Sequence, residues 1–470
     1  MTTVAVIGGG AAGALTVVQL ARQWPRDVPL QVVMYDASPR PARGLAYSTT
    51  EPHHLLNVPA GRMSAHGDDA DHFLRWLRRR DEDVQPEDFV PRSSFGDYLA
   101  DTVAECSSAI GLVVRRSRVD DVIRLGQRLR VVSGDGFDDV DAAVLALGYA
   151  PPARPSAVVS PEAEGYVADP WLPDALRRIE ATTCPGDTVL TVGCGLTGVD
   201  VALSLADRGR RVVAVSRNGL LPARHRWPLP RPFAPRQPVP AGQLSVDDVE
   251  RFVVDHLADA RQEGIGWRAA VDGLRPFTPV LWQRMTTEDR KAFLDGPARR
   301  WEVLRHRMAP TVAARIDKLL ADRLLTVIRC EVISAVGEER RWRVTIRRDG
   351  IVETLSVAAV VNCTGPTCDI TRYPGGLGRR LVDRGLVVAD PLGLGIVTDD
   401  RGAVVDADGR VDNALFTLGA LRRGLRYETT AMPELREQAE SAVQALVASV
   451  VLAASAPYPA DPPLGVGLPR

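Results

Sequence analysis

The sequence feature that most constrains the fold is a glycine-rich turn between an apolar strand and a helix near the start of the chain. The apolar run of residues 4–7 leads into Gly8-Gly9-Gly10-Ala11-Ala12-Gly13, and apolar residues then recur with a helical period. Such a run bounded by glycines is typical of a buried parallel strand. The glycines permit a tight turn, close approach of a pyrophosphate to the backbone and close packing of helix on strand. A second apolar run ends at Asp36, whose carboxylate is suited to accept hydrogen bonds from a ribose. The predicted nucleotide contacts are Gly8, Gly10, Ala11, Ala12, Gly13 and Asp36.

The same pattern recurs in the middle of the chain. The apolar run Thr188–Val192 leads into Gly193-Cys194-Gly195-Leu196-Thr197-Gly198, but the strand that follows ends in Ser216-Arg217 instead of an acid. A carboxylate at that place would repel a 2′-phosphate, whereas a guanidinium and a hydroxyl would bind one. We therefore predict FAD at the first site and NADPH, in preference to NADH, at the second. The alternative that Arg217 is a solvated arginine at the end of a strand stays open. The predicted contacts here are Gly193, Gly195, Leu196, Thr197, Gly198, Ser216 and Arg217.

Two further apolar runs end in glycine turns. Residues 141–147 run into Gly148, and residues 358–364 run into Gly365, each shortly before proline. At such turns a chain can pass from one dinucleotide-binding domain to the other. Gly148 and Gly365 are therefore added to the predicted cofactor contacts.

With these motifs the sequence resembles the two-dinucleotide-domain flavoprotein superfamily. Within it, the chain is similar to the FAD/NAD(P)-binding family related to class B flavin monooxygenases and amino-acid N-hydroxylases, over nearly its whole length. The narrower resemblance rests on residues 44–48, 54–60, 89–92, Gly96, 98–99 and 305–310. It implies that Asn57 and Arg92 lie along the FAD, although Arg92 could instead pair with an acid such as Asp97.

The resemblance also implies how the C-terminal part completes the FAD site. We expect a last strand over residues 413–420 that includes Gly419, a polar loop over 421–430, and a final helix that opens at Ala431. In the superfamily the start of this helix faces the flavin, so Thr430 and Ala431 are predicted contacts. The proline-rich residues 456–470 are expected to form a loose tail.

The expected fold class is therefore α/β, with two Rossmann-like dinucleotide-binding domains, one for FAD and one for NADPH, and a helical insertion. The FAD-binding domain is expected to be discontinuous, over residues 1–155 and 370–470. The NAD(P)H-binding domain is expected over 156–369. It contains the helical insertion, at about 218–325, which we expect to cover the crevice between the domains and to shape the substrate pocket.

Composition excludes several other classes. With 58 Lys+Arg against 59 Asp+Glu, the chain lacks the basic excess of a nucleic-acid binder. Six cysteines without a C-x-x-C pair make no disulfide framework, which favours a reducing cytoplasm. Residues 442–456 are too short to span a bilayer, which needs about twenty residues, so no membrane association is expected. A homo-oligomer is compatible with the sequence.

No motif indicates catalytic side chains, and we predict no metal site. His66 and His72 bracket three aspartates in a loop-like run that matches no established ligand spacing. Cys363 and Cys368 are expected to be reduced thiols in the core, which disfavours a disulfide reductase.

Oxygen is then the favoured electron acceptor. We expect NADPH to reduce FAD and the flavin C4a-hydroperoxide formed with O₂ to oxygenate a small molecule at nitrogen or sulfur. A Baeyer–Villiger reaction is less favoured, because the signature F-x-G-x-x-x-H-x-x-x-W is missing before the second glycine motif. The alternative is an FAD-dependent NADPH oxidoreductase that passes electrons to an organic acceptor or partner without oxygen insertion. A third reading is a protein that binds FAD structurally, as a scaffold or redox sensor.

Overall fold

The computed structural model describes residues 1–81 and 83–455, and within these residues the strands form four sheets. The strands are β1 (Thr2–Ile7), β2 (Leu30–Tyr35), β3 (Leu112–Arg115), β4 (Val119–Leu125), β5 (Arg128–Ser133), β6 (Gly136–Val140), β7 (Ala142–Leu145), β8 (Tyr166–Val167), β9 (Thr188–Val192), β10 (Arg211–Ser216), β11 (Leu325–Arg329), β12 (Glu331–Gly337), β13 (Trp342–Arg348), β14 (Ile351–Val357), β15 (Ala359–Asn362), β16 (Ala403–Val405) and β17 (Val411–Thr417).

The helices lie between and on these sheets. They are α1 (Ala11–Gln23), α2 (Gly44–Tyr47), α3 (His72–Arg78), α4 (Arg92–Cys106), α5 (Ala175–Thr182), α6 (Leu196–Asp207), α7 (Val246–Gln262), α8 (Trp267–Gly273), α9 (Thr278–Arg284), α10 (Thr287–Asp295), α11 (Ala298–Arg305), α12 (Pro310–Ala321), α13 (Leu377–Asp383), α14 (Arg423–Arg426) and α15 (Met432–Ser455). Among the described helices, none is both long and apolar enough to cross a membrane.

The first sheet has the strand order β16-β17-β7-β1-β2-β3 and is parallel except for β16. Its strands come from both ends of the chain, since β17 pairs with β7 at Leu415 and Ala143. Helices α1, α4 and α15 pack on one face. The small antiparallel sheet β4-β5-β6 and helix α13 pack on the other. The apolar runs become central strands because both of their faces are covered.

The second sheet is fully parallel, in the order β11-β10-β9-β15-β8. Helices α5, α6 and α12 cover one face. The antiparallel sheet β12-β13-β14, with the buried Trp342, covers the other. The chain therefore contains two doubly covered α/β folds, each with a glycine turn between its central strand and a helix.

The connection between β10 and β11 is helical, as expected, and contains α7 to α12. Local sequence signals start two of these helices. Ser245 and Asp248 form a reciprocal capping box at α7, with Ser245 Oγ accepting from Asp248 N at 3.2 Å. Pro310 occupies the first turn of α12. The insertion has its own core around Trp282, and this core includes Tyr427 from the region after β17.

The segment after β17 differs from the polar loop that we expected over residues 421–430. A 3₁₀ turn over Gly419–Arg422 continues into α14. The segment folds because Arg422 is fully buried and its Nη2 donates to the Asp399 and Asp400 carbonyls, each at 2.9 Å. The final helix begins at Met432, one residue after the predicted start. The predicted tail over 456–470 lies outside the described residues.

Candidate active site

The first glycine turn brings β1 and α1 into close backbone contact. Gly8 has φ +110°, and a β-carbon there would lie closer than 3.0 Å to the Ala146 carbonyl. A β-carbon at Gly13 would lie equally close to the Gly8 carbonyl. Neither position can hold a larger residue without moving the backbone. Gly10 caps α1 and has no side chain, so no cap occupies the amides at the N-terminus of this helix and they can bind a phosphate.

Asp36 lies at the end of β2 beside this turn and carries a free carboxylate oxygen. The residue is 9% exposed, and its Oδ1 accepts from Ser38 N at 2.9 Å. Its buried Oδ2 has no hydrogen-bond partner in the described structure and faces the Gly9 backbone, where a β-carbon would clash with it. A buried carboxylate oxygen left without a donor is costly. The arrangement fits a ribose hydroxyl, so these residues fit the adenosine half of FAD.

The second glycine turn repeats this geometry. Gly193 has φ +119°, and a β-carbon there would clash with the Cys363 carbonyl at the end of β15. A β-carbon at Gly198 would clash with the Gly193 carbonyl, so α6 lies against the turn. At the end of β10, Ser216 Oγ accepts from Gly219 N at 3.0 Å. Arg217 is exposed and has no ion-pair partner among the described residues, which fits a 2′-phosphate ligand.

One large cavity, of about 1450 Å³, lies between the two folds and beneath the helical insertion. Many of the predicted contacts line it: Asn57, Arg92, Gly193, Gly195, Leu196, Thr197, Ser216, Arg217, Gly365, Thr430 and Ala431. The other predicted contacts lie outside its wall: Gly8, Gly10, Ala11, Ala12, Gly13, Asp36, Gly148, Gly198 and Gly419. The cavity thus joins the second nucleotide site to the region where the flavin ring is expected, while the first glycine turn lies apart from it.

The glycines outside the wall have structural partners. The Gly148 carbonyl accepts from the Tyr373 hydroxyl. Gly419 has φ +76°, its amide donates to Gln438 Oε1 at 3.1 Å, and its carbonyl accepts from Thr429 Oγ1 at 2.9 Å. These bonds hold the end of β17 against the start of α15, and they place Thr430 and Ala431 at the cavity.

Arg92 lies at the cavity but pairs with an acid of the other fold. Its Nη2 lies 2.8 Å from Asp200 Oδ2 on α6, with the two side chains 14% and 5% exposed. Its Nε donates to the Leu55 carbonyl at 3.0 Å. Burial raises the pKa of Asp200, and the Arg92 guanidinium opposes that rise. Asp97, the partner considered from the sequence, pairs instead with Arg43.

Asn57 contributes both a side chain to the wall and a backbone contact to the insertion. Its carbonyl lies 3.1 Å from His225 Nε2, which places the segment after β10 over the first fold. Burial lowers the pKa of His225 to about 4, so this imidazole is neutral near pH 7. The bond therefore fixes one wall of the cavity without adding charge to it.

The structure reveals an ionic cluster at the cavity that the sequence analysis missed. Glu428 accepts from Trp301 Nε1 at 2.9 Å and from Arg305 Nε at 3.0 Å. Arg423 Nη2 lies 3.3 Å from Glu302 Oε1, so α11 is tied to the segment after β17. Trp301 and Arg305 of α11 lie more than 100 residues from Glu428 in the sequence, so no local pattern indicates this cluster.

Tyr427 in this cluster has a strained backbone. It adopts φ +57° and ψ −63°, a rare conformation for a residue with a β-carbon. Its ring is held by stacking on Trp282, with centroids 4.8 Å apart, and by an edge contact with Phe293 at 5.4 Å. This backbone conformation of Tyr427 turns the chain sharply just before Thr430, so it helps to shape the wall next to the predicted flavin ring.

Arg299 is a second missed candidate, at the second glycine turn. Its Nη2 donates to the Leu220 carbonyl at 2.8 Å, and its Nη1 lies 3.9 Å from the position that a β-carbon on Gly195 would take. It lines the cavity together with Arg217. Two guanidiniums therefore lie where the phosphates of a dinucleotide are expected.

All six cysteines are unpaired. Cys363 and Cys368 are buried, as predicted, and burial raises the pKa of both thiols. Cys194 and Cys330, which also line the cavity, have thiol pKa values raised by burial. These cysteines are protonated near pH 7, and only thiolates attack disulfides efficiently.

His66 and His72 are engaged by neighbouring side chains. His66 Nδ1 lies 2.9 Å from Arg22 Nη1, and His72 Nδ1 lies 2.7 Å from the Tyr98 hydroxyl. Arg22 also binds Asp68 at 2.6 Å. In the part of the chain that the structure describes, no three His, Cys, Asp or Glu side chains are grouped to hold a metal ion.

Comparison with known proteins supports the fold. The model of a family described as FAD-NAD(P)-binding matches residues 5–150, so this part of the first fold is an FAD/NAD(P)-binding domain. No curated protein matches the chain. The reduced ornithine hydroxylase of Pseudomonas aeruginosa is 14% identical with a TM-score of 0.64, over 96% of this chain and 99% of that one.

Two further solved structures share the architecture. The ornithine N-hydroxylase of Kutzneria sp. 744, with reduced FAD, NADP⁺ and L-ornithine, is 18% identical with a TM-score of 0.59, over 94% of this chain and 98% of that one. The thioredoxin reductase of Lactococcus lactis is 12% identical with a TM-score of 0.52, over 96% and 100%. The predicted two-domain FAD/NAD(P) flavoprotein fold is confirmed.

Proposed function

We propose that this flavoprotein is an NADPH-dependent monooxygenase that uses FAD and O₂ to oxygenate a small molecule, at nitrogen or sulfur in preference to a ketone carbonyl. The observation that carries the proposal is the shared cavity. It contains Thr430 and Asn57 of the first fold and Thr197 and Arg217 of the second, under the cover of the helical insertion. Such a cavity has room for a nicotinamide and a substrate beside one flavin.

The chain's own residues bind, orient and exclude water. FAD, when bound, would accept a hydride from NADPH, and its reduced ring would react with O₂. The amides at the start of α15, next to Thr430, direct the positive end of a long helix toward the cavity and favour negative charge on a reduced ring. Thr430 Oγ1 and the Tyr149 hydroxyl, 3.1 Å apart, fix this edge of the wall.

The nucleotide side of the cavity is built for a phosphorylated cofactor. Asp36 is suited to the ribose of FAD, and Ser216 and Arg217 occupy the corresponding strand end in the second fold. Arg217 has no protein anion to pair with among the described residues, so its charge is available to a 2′-phosphate. The absence of an acid at this strand end also favours NADPH over NADH.

The alternative is an NADPH oxidoreductase that reduces an organic acceptor or a partner without oxygen insertion. The likeness to a thioredoxin reductase favours it, since the same fold serves that protein. The cysteines weigh against a disulfide acceptor, because Cys194, Cys330 and Cys363 are unpaired thiols with raised pKa values.

Oxygen incorporation separates these functions. Purified protein loaded with FAD is mixed with NADPH and oxygen-18-labelled O₂ in the presence of panels of amines, thioethers and ketones, and products are analysed by mass spectrometry. A monooxygenase gives a labelled N- or S-oxide that depends on substrate, and it oxidises NADPH faster than NADH. Unlabelled products with hydrogen peroxide alone across all three panels would refute the proposal.

The alternative has its own signature in the same preparation. A flavin that stays reduced in air but is rapidly reoxidised by quinones would favour the oxidoreductase. No turnover with either nicotinamide would favour a structural role for FAD.

The preference for NADPH can be tested with Arg217→Ala. Arg211→Ala, at the opposite end of β10, is its matched control for any effect of removing an arginine from this strand.

A further inference from the structure

A group of arginines lies beside the cavity without enough acid to neutralise it. Among the described residues, Arg226 and Arg268 have no carboxylate within 4.0 Å, and neither does Arg62. Arg224 and Arg307, beside them, are paired with Asp317 at 2.9 Å and with Asp272 at 3.0 Å.

The group is held together around one indole. Arg268 Nε donates to the Arg224 carbonyl at 2.8 Å, and Arg307 Nη2 donates to the Arg268 carbonyl at 3.3 Å. The guanidinium carbons of Arg268 and Arg307 lie 4.3 Å and 5.2 Å from the centre of the Trp267 ring. Arg226 Nη1 approaches the start of α8, the helix that carries Trp267 and Arg268. It lies 3.9 Å from the position that a β-carbon on Gly266 would take.

The charges of this group act on one another. Burial and the neighbouring guanidiniums of Arg307, Arg224 and Arg226 lower the pKa of Arg268. Asp317 and Asp272 balance only two of these arginines. The remaining guanidiniums repel one another, and a bound anion would relieve that repulsion. A set of ordinary surface ion pairs would not explain the arrangement.

The group lies next to the cavity of the proposed active site, although Arg226, which is exposed, and Arg268 are not part of the cavity wall themselves. His225, between Arg224 and Arg226 in the chain, lines the cavity, and so do Arg62 and Asp272. Within the part of the chain that the structure describes, the Arg268 side chain donates through its Nε alone, so its two terminal amino groups can donate to a ligand. Packing of the Arg268 guanidinium against the Trp267 ring fixes the plane in which these two amino groups form a fork.

We propose that Arg226 and Arg268 form a subsite for an anionic group, a carboxylate or a phosphate, on the molecule that is oxygenated. The subsite binds that group at the wall formed by α8 and the segment after β10, so the rest of the molecule extends into the cavity. The fork of Arg268 matches either anion, and bidentate pairing adds orientation as well as affinity. This assignment of substrate class rests on the proposed function.

The test measures anion binding without turnover. FAD-loaded protein, with and without saturating NADP⁺, is titrated with inorganic phosphate and, separately, with succinate, by calorimetry and by tryptophan fluorescence. We expect one of the two anions to bind, with a fluorescence change that Trp267→Phe removes. The double variant Arg226→Gln/Arg268→Gln should weaken that binding at least about tenfold, since charge-assisted hydrogen bonds are lost.

Two further variants keep the result interpretable. Arg340→Gln removes an exposed arginine between β12 and β13 that pairs with no acid of the described residues, and it should leave anion binding unchanged. Arg268→Lys keeps the charge but loses the planar fork, and it serves where the double variant fails to retain FAD. It should bind more weakly than the parent protein but more tightly than Arg268→Gln.

Several results would overturn the subsite. These are no binding of either anion by the parent protein, equal binding by the double variant, or binding that NADP⁺ abolishes, which would assign the arginines to the dinucleotide. Phosphate binding alone would identify a phosphorylated substrate, and succinate binding alone a carboxylate. Because no step depends on oxygen transfer, failure here leaves the labelled-oxygen experiment valid, and failure there leaves the anion titration valid.

Discussion

The buried pair between Arg92 and Asp200 ties α4 of the first fold to the cofactor helix α6 of the second, and it makes a quantitative prediction. The two side chains are 14% and 5% exposed and 2.8 Å apart. Arg92→Met leaves a carboxylate in the interior without a counter-charge, which costs about 3–5 kcal/mol of unfolding free energy. Asp200→Leu should cost less, about 1–3 kcal/mol, because Arg92 keeps its bond to the Leu55 carbonyl at 3.0 Å.

The double variant Arg92→Met/Asp200→Leu should lose far less than the sum of the single losses. Replacing a buried ion pair by apolar side chains of similar volume is often nearly neutral. The coupling energy of the cycle should therefore reach at least about 2 kcal/mol, well above the roughly 0.3–0.5 kcal/mol within which independent sites add.

The assay is urea unfolding of FAD-loaded protein, followed by flavin fluorescence and by far-UV circular dichroism. The two probes are compared because a chain with two folds need not unfold in one step. Arg347→Met is the control, since Arg347 pairs with Glu331 at the surface, 2.8 Å apart, with the side chains 50% and 60% exposed. This control should lose less than about 1 kcal/mol. Additive single losses, or an Arg92→Met loss no larger than that of the control, would refute the reasoning.

Three other predictions follow from the same structure. Arg217→Ala should raise the KM for NADPH about 10- to 100-fold, as expected for one charge-assisted bond to a phosphate, and should leave the KM for NADH nearly unchanged. The control Arg211→Ala should change neither KM. Equal effects on both nucleotides would contradict the phosphate role. Gly13→Ala should abolish FAD retention because its β-carbon would meet the Gly8 carbonyl, whereas Gly134→Ala, with its nearest neighbouring atom at 3.9 Å, should retain FAD. Similar flavin content in the two variants would contradict the close helix packing. Burial lowers the pKa of His54 to about 3, so the unfolded chain takes up a proton below about pH 6.5 that the folded protein does not. The contribution of His54 to the free energy of unfolding is therefore complete above about pH 6.5 and is lost as the pH falls towards 3. His54→Gln should flatten the dependence of the unfolding free energy on pH in that window.

The central strands and glycine turns could be predicted because their determinants are local. Leu30–Tyr35 and Thr188–Val192 form strands over the residues that the apolar pattern indicated. Each is buried on both faces, so the pattern reports burial directly. The glycines were predictable for a similar reason, since a turn that brings a helix onto a strand has no space for β-carbons.

The walls of the cavity could not be predicted in the same way. Arg92 finds its partner at Asp200, and Arg305 finds Glu428, more than 100 residues away in each case. Charged residues at such separations leave no periodic signal. The segment after β17 looked like a polar loop because Arg422 is polar, yet this side chain is fully buried against backbone carbonyls.

The charges around the cavity fall into two kinds, and the difference indicates where ligands bind. Arg92, Arg305 and Arg423 are each held by a carboxylate of the chain, so they connect elements and shape the wall. Arg217 has no such partner in the described part of the chain and lies where the second glycine motif predicts a phosphate. The partner-free Asp36 Oδ2 likewise lies where the first motif predicts a ribose. Since leaving a buried polar group or a clustered charge without a partner costs stability, such positions persist where a ligand supplies the partner. Among the described residues Arg226 and Arg268, near Trp267, also lack a carboxylate partner. They match neither nucleotide motif, so an anionic group on the substrate is the partner that we propose for them.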